Sequence, residues 1–273
     1  MPTMRGICLD HLTIVDAKPD DLVAIAASVG CVAVGMLLRP VNMPHAAHFE
    51  LIGNAGYQRE VRRRCEEGAV AIRFIEPFEL SAEMRWDGVE AALETGAALG
   101  AKAAGWRAYD PDRVRLLEQF RRFSEMAARF GLGTLLEFTP RTCIKTLSDA
   151  ERFLSQADRA HAAINFDVLH WVRSGGSRIA GAVADPRLIG HLQLCDGLLH
   201  AVSSDQGLYE AGCQRLAPGE GDFDLAGMLE ALPSEPLVGV EVPRADLIAA
   251  GVSALERARR AVDATRGLLA SLS

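Results

Sequence analysis

Two hydrophobic periods alternate along this chain from one end to the other: short strand-like apolar runs and longer amphipathic helical stretches. The strand-like runs fall at residues 6–9, 31–38, 69–75, 101–106, 133–138, 162–167, 189–195 and 237–241. Helical punctuation separates them. Pro19 opens a helical stretch that Gly30 closes, Gly68 and Gly100 close the next two, and Asp110-Pro111 precedes a long helix to Phe130. Further helices are expected near residues 148–156, in a shorter piece reaching Val183, from Asp224 to Leu232, and from about Leu247 to the end. The longest irregular insert is residues 197–223. Strict alternation of strand and helix requires a parallel sheet, because each crossover returns the chain to the same end. Eight such units in 273 residues predict a closed (β/α)8 TIM barrel, formed as a single domain over residues 1–273. An open doubly wound sheet fits less well, since no G-x-G-x-x-G follows the first strand.

Composition narrows the function classes. The net charge is −7 and the pI about 5.5, and Lys and Arg are scattered over helices, so no nucleic-acid partner is expected. No apolar run is long enough for a membrane span, and residues 1–10 lack a secretory pattern. The six cysteines form no C-x-x-C pair, which suits free thiols in a cytoplasmic protein.

In a barrel of this kind ligands gather at the C-terminal strand ends. The last four strands finish in Glu137, Asp167, Gln193 and Glu241, three carboxylates and one amide. Strand side chains alternate between the barrel interior and the helix layer. On that count the small or polar residues Gly133, Ala163, Asn165, His191 and Gly239 share the face of the four donors, with Leu135 between them. Bulkier residues such as Leu136, Phe166, Leu192 and Val240 face the helices. Three converging carboxylates repel one another unless a cation lies between them, and an all-oxygen set suits Mn²⁺ or Mg²⁺ ahead of Zn²⁺ or Co²⁺. His191 is expected one layer below, buried and hydrogen-bonded.

The pieces Leu136-Glu137-Phe138, Asp167-x-x-His170, residues 190–196, residues 218–224 and Val240-Glu241 resemble the xylose-isomerase-like TIM barrel superfamily of sugar phosphate isomerases and epimerases. The resemblance covers the second half of the chain. It implies a divalent metal held by Glu137, Asp167, Gln193 and Glu241, with Glu137 and Glu241 as base and acid, and His170 on the substrate. His11, Trp106 and Arg215 are further candidate substrate contacts. Arg39, Lys102, Arg107, Arg141 and Lys145 are other cations placed for the rim, and Glu76 ends the third strand. The implied activity is isomerisation or epimerisation of a small sugar, keto-sugar or hydroxy-keto acid by proton transfer through an enediolate. Gln193 resembles the residue found in hydroxypyruvate isomerases and in 3-dehydroshikimate dehydratases of this fold, so dehydration is the alternative. A non-catalytic sugar-binding barrel is the alternative of another class. Such barrels often pair, with the insert after the seventh strand as the expected contact of a homo-oligomer.

Overall fold

A computed structural model describes residues 6–157, 162–176, 183–200, 203–232 and 237–272. The expected helical piece up to Val183 lies partly outside these residues, as does the start of the chain.

The eight strands are β1 (Ile7–Asp10), β2 (Ala33–Leu37), β3 (Ala71–Leu80), β4 (Ala103–Ala108), β5 (Gly133–Glu137), β6 (Ala162–Asp167), β7 (Ile189–Leu194) and β8 (Val238–Val240). All pairs are parallel, each strand bonds its sequence neighbour, and β8 closes onto β1, so the sheet is a closed barrel. The helices are α1 (Pro19–Ser28), α2 (Ala55–Gly68), α3 (Asp87–Leu99), α4 (Arg113–Arg129), α5 (Leu147–Ala157), α6 (Val168–Arg173), α7 (Ser204–Cys213), α8 (Leu225–Ala231), α9 (Ala245–Ala249) and α10 (Ala254–Ser271).

Local chemistry explains most boundaries. Pro19 sits in the first turn of α1, where a missing N–H costs nothing. The Asp112 carboxylate accepts from the Val114 and Arg115 amides and so starts α4. Gly100 ends α3 in the left-handed region at φ 85°. Gly68, expected to close α2, is instead its last helical residue, and Ala69 takes the left-handed cap at φ 51°. A side chain at Gly68 would meet Ala27 at 2.9 Å, so the glycine serves the close approach of α2 to α1.

Three further expectations are corrected. Strand β3 does not stop at Glu76-Pro77 but continues to Leu80, with a register shift against β4 between Ile75 and Phe78. The insert after β7 is not wholly irregular: it contains α7, opened by a capping box between Ser203 and Gln206. The last helix is two, because Gly251 turns the chain at φ 77° and Ser253 caps a new start by accepting from the Glu256 amide.

The apolar core lies mainly between barrel and helices. A separate small cluster of Phe74, Ala103 and Leu135, with Ala163 against it, fills the barrel's lower interior. This division is the one that strand parity predicts. Above that plug the interior is polar, and there the site begins.

Candidate metal centre and active site

Asp167 shows how the sequence builds the site locally. It is the last residue of β6 and the N-cap of α6, with Oδ1 accepting from the amides of Leu169 (2.7 Å) and His170 (3.3 Å). One helical turn then carries the His170 ring back over the strand end, which is why the two residues stand three apart. Glu137, Asp167 and His170 offer ligand atoms all within 4.8 Å of one another. His170 Nε2 is 3.5 Å from Glu137 Oε1 and 3.8 Å from Asp167 Oδ2.

Arg215 closes the other side. Its guanidinium is 2% exposed and bridges Asp167 Oδ2 (2.7 Å) and Glu241 Oε2 (2.8 Å), while Nε donates to the Ala211 carbonyl of α7. Gln193 Nε2 donates to Glu241 Oε1 (2.9 Å), and Asn165 Nδ2 donates to Gln193 Oε1 (2.6 Å). Strands β5 to β8 thus bring all four expected donors to one end of the barrel, facing inward. Arg107 adds a cation from β4, 3.7 Å from Glu137 Oε2 and 3.4 Å from Glu79.

These contacts set the charges. Burial alone would raise the Asp167 carboxyl, but Arg215 and His170 outweigh it and hold it at about 2. For Glu137, burial is likewise overcome, by the hydrogen bond from His170 and the charge of Arg107, and it stays below its ordinary value. Glu241 goes the other way: burial and the charges of Asp167, Glu76 and Glu137 outweigh Arg215 and push it well up. Glu76 is pushed up to about 8 by burial and by Glu137, against Arg107.

A cation fits this donor set. The four carboxyls of Glu76, Glu137, Asp167 and Glu241 share the space with Arg107 and Arg215, and two of the four are driven to hold protons. A divalent ion would relieve that repulsion. The amides agree: Asn165 Oδ1 is buried without a partner. Turning both near-isosteric amides over lets Asn165 Oδ1 accept from Gln193 and presents Gln193 Oε1 toward Glu241, two oxygens that either a cation or a proton on Glu241 would join.

A cavity of about 220 Å³ opens onto these groups and is lined by Glu76, Arg107, Glu137, His170, Arg215 and Glu241. Two expected substrate contacts do not line it. Trp106 is 1% exposed and stacks on Phe120 (4.7 Å between ring centroids) beside Phe153, in the helix layer. Parity carries the reason: on β4, Arg107 faces the cavity and its neighbour Trp106 must face away. His11 is fully buried, with Nε2 bonded to the Ala17 carbonyl (3.0 Å) and Nδ1 accepting from the Leu37 amide (3.2 Å). Both ring nitrogens are spent on backbone. His191 lies one layer down as its register predicts, buried, with Nε2 3.3 Å from Asp10 Oδ2 and its ring on Phe74. Asp196 organises the following loop, accepting from Gly197, Gly219 and Phe223 amides.

Sequence comparison agrees with this architecture. The family model for the xylose isomerase-like TIM barrel matches residues 23–267, and the chain belongs to that family. It is similar to 3-dehydro-D-guloside 4-epimerase of Escherichia coli (strain K12), 29% identical over 140 residues. The matched stretch is 50% of this chain and 47% of that enzyme, so the chain matches about half the length of this curated relative. Among solved structures it resembles the IOLI protein with a bound zinc atom, at a TM-score of 0.77 and 16% identity over 98% of this chain and 99% of the other. It also resembles the probable 3-DHS dehydratase AsbF from Bacillus anthracis, at a TM-score of 0.74 and 16% identity over 96% of this chain and 98% of the other.

Proposed function

We propose that the protein is a metal-dependent isomerase or epimerase that moves a proton next to the carbonyl of a small sugar, keto-sugar or hydroxy-keto acid. The observation that carries this reading is the convergence of Glu137, Asp167, Gln193 and Glu241 at one barrel mouth, with His170 and Arg215 against them. Glu137, Asp167, Gln193 and Glu241 would hold the ion, which when bound supplies the positive charge that makes a neighbouring C–H acidic.

The chain's own groups divide the remaining work. Glu137 ends β5 and Glu241 follows β8, so the two carboxylates flank the place of the proposed ion and would serve as base and acid of the proton transfer. His170 Nε2 faces the Glu137 carboxylate and is placed to hold a substrate oxygen beside it. Arg215 fixes the rotamers of Asp167 and Glu241. Returning the proton to the neighbouring carbon gives isomerisation, and returning it to the other face gives epimerisation. Loss of a β-hydroxyl instead gives dehydration, the second reading, favoured by the amide donor Gln193.

The test is turnover by the Mn²⁺- or Mg²⁺-loaded protein on ketoses, hydroxypyruvate and 3-dehydroshikimate. Glu241→Gln should lower kcat by about 10²–10⁴-fold, the usual contribution of a positioned acid or base. Full turnover by Glu241→Gln with metal bound would remove the assigned role.

A further inference from the structure

The cations expected at the rim separate sharply once their partners are known. Arg215 is neutralised by Asp167 and Glu241, and Arg107 by Glu137 and Glu79. Arg39 turns outward to the Gly88 carbonyl. Lys102 precedes β4, at the barrel end away from the site, where its carbonyl accepts from Gly133. Arg141, like Arg39, bonds a neutral carbonyl, and differs from it in lining the cavity. It lines the same cavity as Glu137 and His170, and among the described residues its hydrogen-bond partner is the neutral Gly207 carbonyl (3.1 Å), with no carboxylate in ion-pair range.

Its position is built rather than incidental. The turn that carries it is tied down by Thr142, whose hydroxyl bonds the Thr139 and Ile144 carbonyls. The bond to Gly207 joins that turn to α7, and α7 is itself anchored by the two-pronged Arg173–Glu210 pair at 2.5 and 2.7 Å. Arg141 is exposed at the rim; partial burial lowers its proton affinity, the charges of Tyr109 and Glu137 oppose that, and those of Arg107 and Arg215 add to it, so the guanidinium stands where a further anion would be welcome. The inner corner of the cavity therefore holds carboxyls paired with Arg107 and Arg215, and its rim presents a guanidinium with no ion pair among the described residues. A neutral polyol satisfies only the first of these.

We propose that the substrate is a small hydroxy acid whose carboxylate is received by Arg141 while its hydroxyl and carbonyl carbons face the Glu137–His170 corner. The orientation rests on the function proposed above; the anion site does not. A planar guanidinium fork matches a carboxylate in two parallel hydrogen bonds. Tyr109 lines the same rim, and burial raises its phenol so that it stays a neutral donor. The cavity of about 220 Å³ suits a compact molecule, below the roughly 300–1,000 Å³ of pockets for drug-sized ligands.

The test uses the full-length protein and calorimetric binding of D-glycerate and quinate against their neutral counterparts glycerol and myo-inositol, with and without Mn²⁺. The acids should bind tighter. Arg141→Met should weaken the acids by about 10–100-fold, the loss of a charge-assisted pair, and leave the neutral compounds unchanged. Arg141→Lys should retain part of the preference. Mn²⁺ binding, followed by electron paramagnetic resonance, should be equal in wild type and Arg141→Met. Acids that bind no better than polyols, or a preference that survives Arg141→Met, would overturn the inference. Inorganic phosphate binding tighter than either acid would overturn the carboxylate assignment. Absence of Mn²⁺ binding sinks the proposed function instead, since the acid preference is also read without metal.

Discussion

His11 illustrates how much a single side chain can be decided by its neighbours. Its Nδ1 accepts from the Leu37 amide, which requires a neutral ring, and burial lowers its proton affinity from the ordinary 6.5 to about 4. The unfolded chain takes up that proton near 6.5, the folded chain only near 4. His11 therefore contributes stability that is fully present above 6.5 and is lost as pH falls from there toward 4. Between pH 7 and 5 the loss is about 2 kcal/mol by this linkage. Urea midpoints at the two pH values check it: His11→Asn should be less stable at pH 7 yet fall less between pH 7 and 5. An equal fall in both proteins would clear His11 of any part in acid sensitivity. In the sequence His11 reads as a polar residue at a strand end, and nothing there distinguishes a ligand from a backbone clamp.

At the scale of elements, strand parity is what sorts the barrel. It places Glu137, Asp167, Gln193 and Glu241 inward and Leu136, Phe166, Leu192 and Val240 outward, and the structure follows it. The same rule on β4 selects Arg107 and rejects Trp106, and on β3 it pairs Glu76 with the interior Phe74. The interior layer beneath the site depends on glycine. A Cβ at Gly239 would lie 2.5 Å from both Asp10 Oδ2 and His191 Nε2, and 3.0 Å from the Leu192 carbonyl. That backbone oxygen cannot yield, so Gly239→Ala should cost about 1–3 kcal/mol through overpacking, seen as a lowered Tm. Gly56→Ala, whose nearest contact is an ordinary 3.5 Å, is the control and should be neutral or mildly stabilising. A Gly239→Ala melt matching wild type would mean that the Asp10–His191 layer has slack.

Across the whole molecule, the mouth concentrates negative charge that the barrel must otherwise tolerate by protonating Glu76 and Glu241. A divalent ion that binds only the folded state stabilises it by mass action, about 2.7 kcal/mol at a hundred times its Kd. At roughly 2–4 °C per kcal/mol for a chain of this class, Mn²⁺ should raise Tm by several degrees and EDTA should reverse the shift. A Tm unmoved by Mn²⁺, Mg²⁺, Zn²⁺ and Co²⁺ would favour a non-catalytic sugar-binding barrel. No described helix is long and apolar enough to cross a membrane.

Periodicity alone was sufficient for the eight strands, their order and the inward donors, because alternation along a strand and apolar spacing along a helix are local properties that survive in the sequence. Contacts between residues distant in the chain needed the closed barrel. Arg215, forty-eight residues beyond Asp167, becomes the bridge between Asp167 and Glu241 only when α7 folds back over the mouth. Arg141 differs from the neighbouring arginines only in what lies around it: burial and electrostatic pairing are set by the surfaces that tertiary packing brings together, and residue type does not encode them.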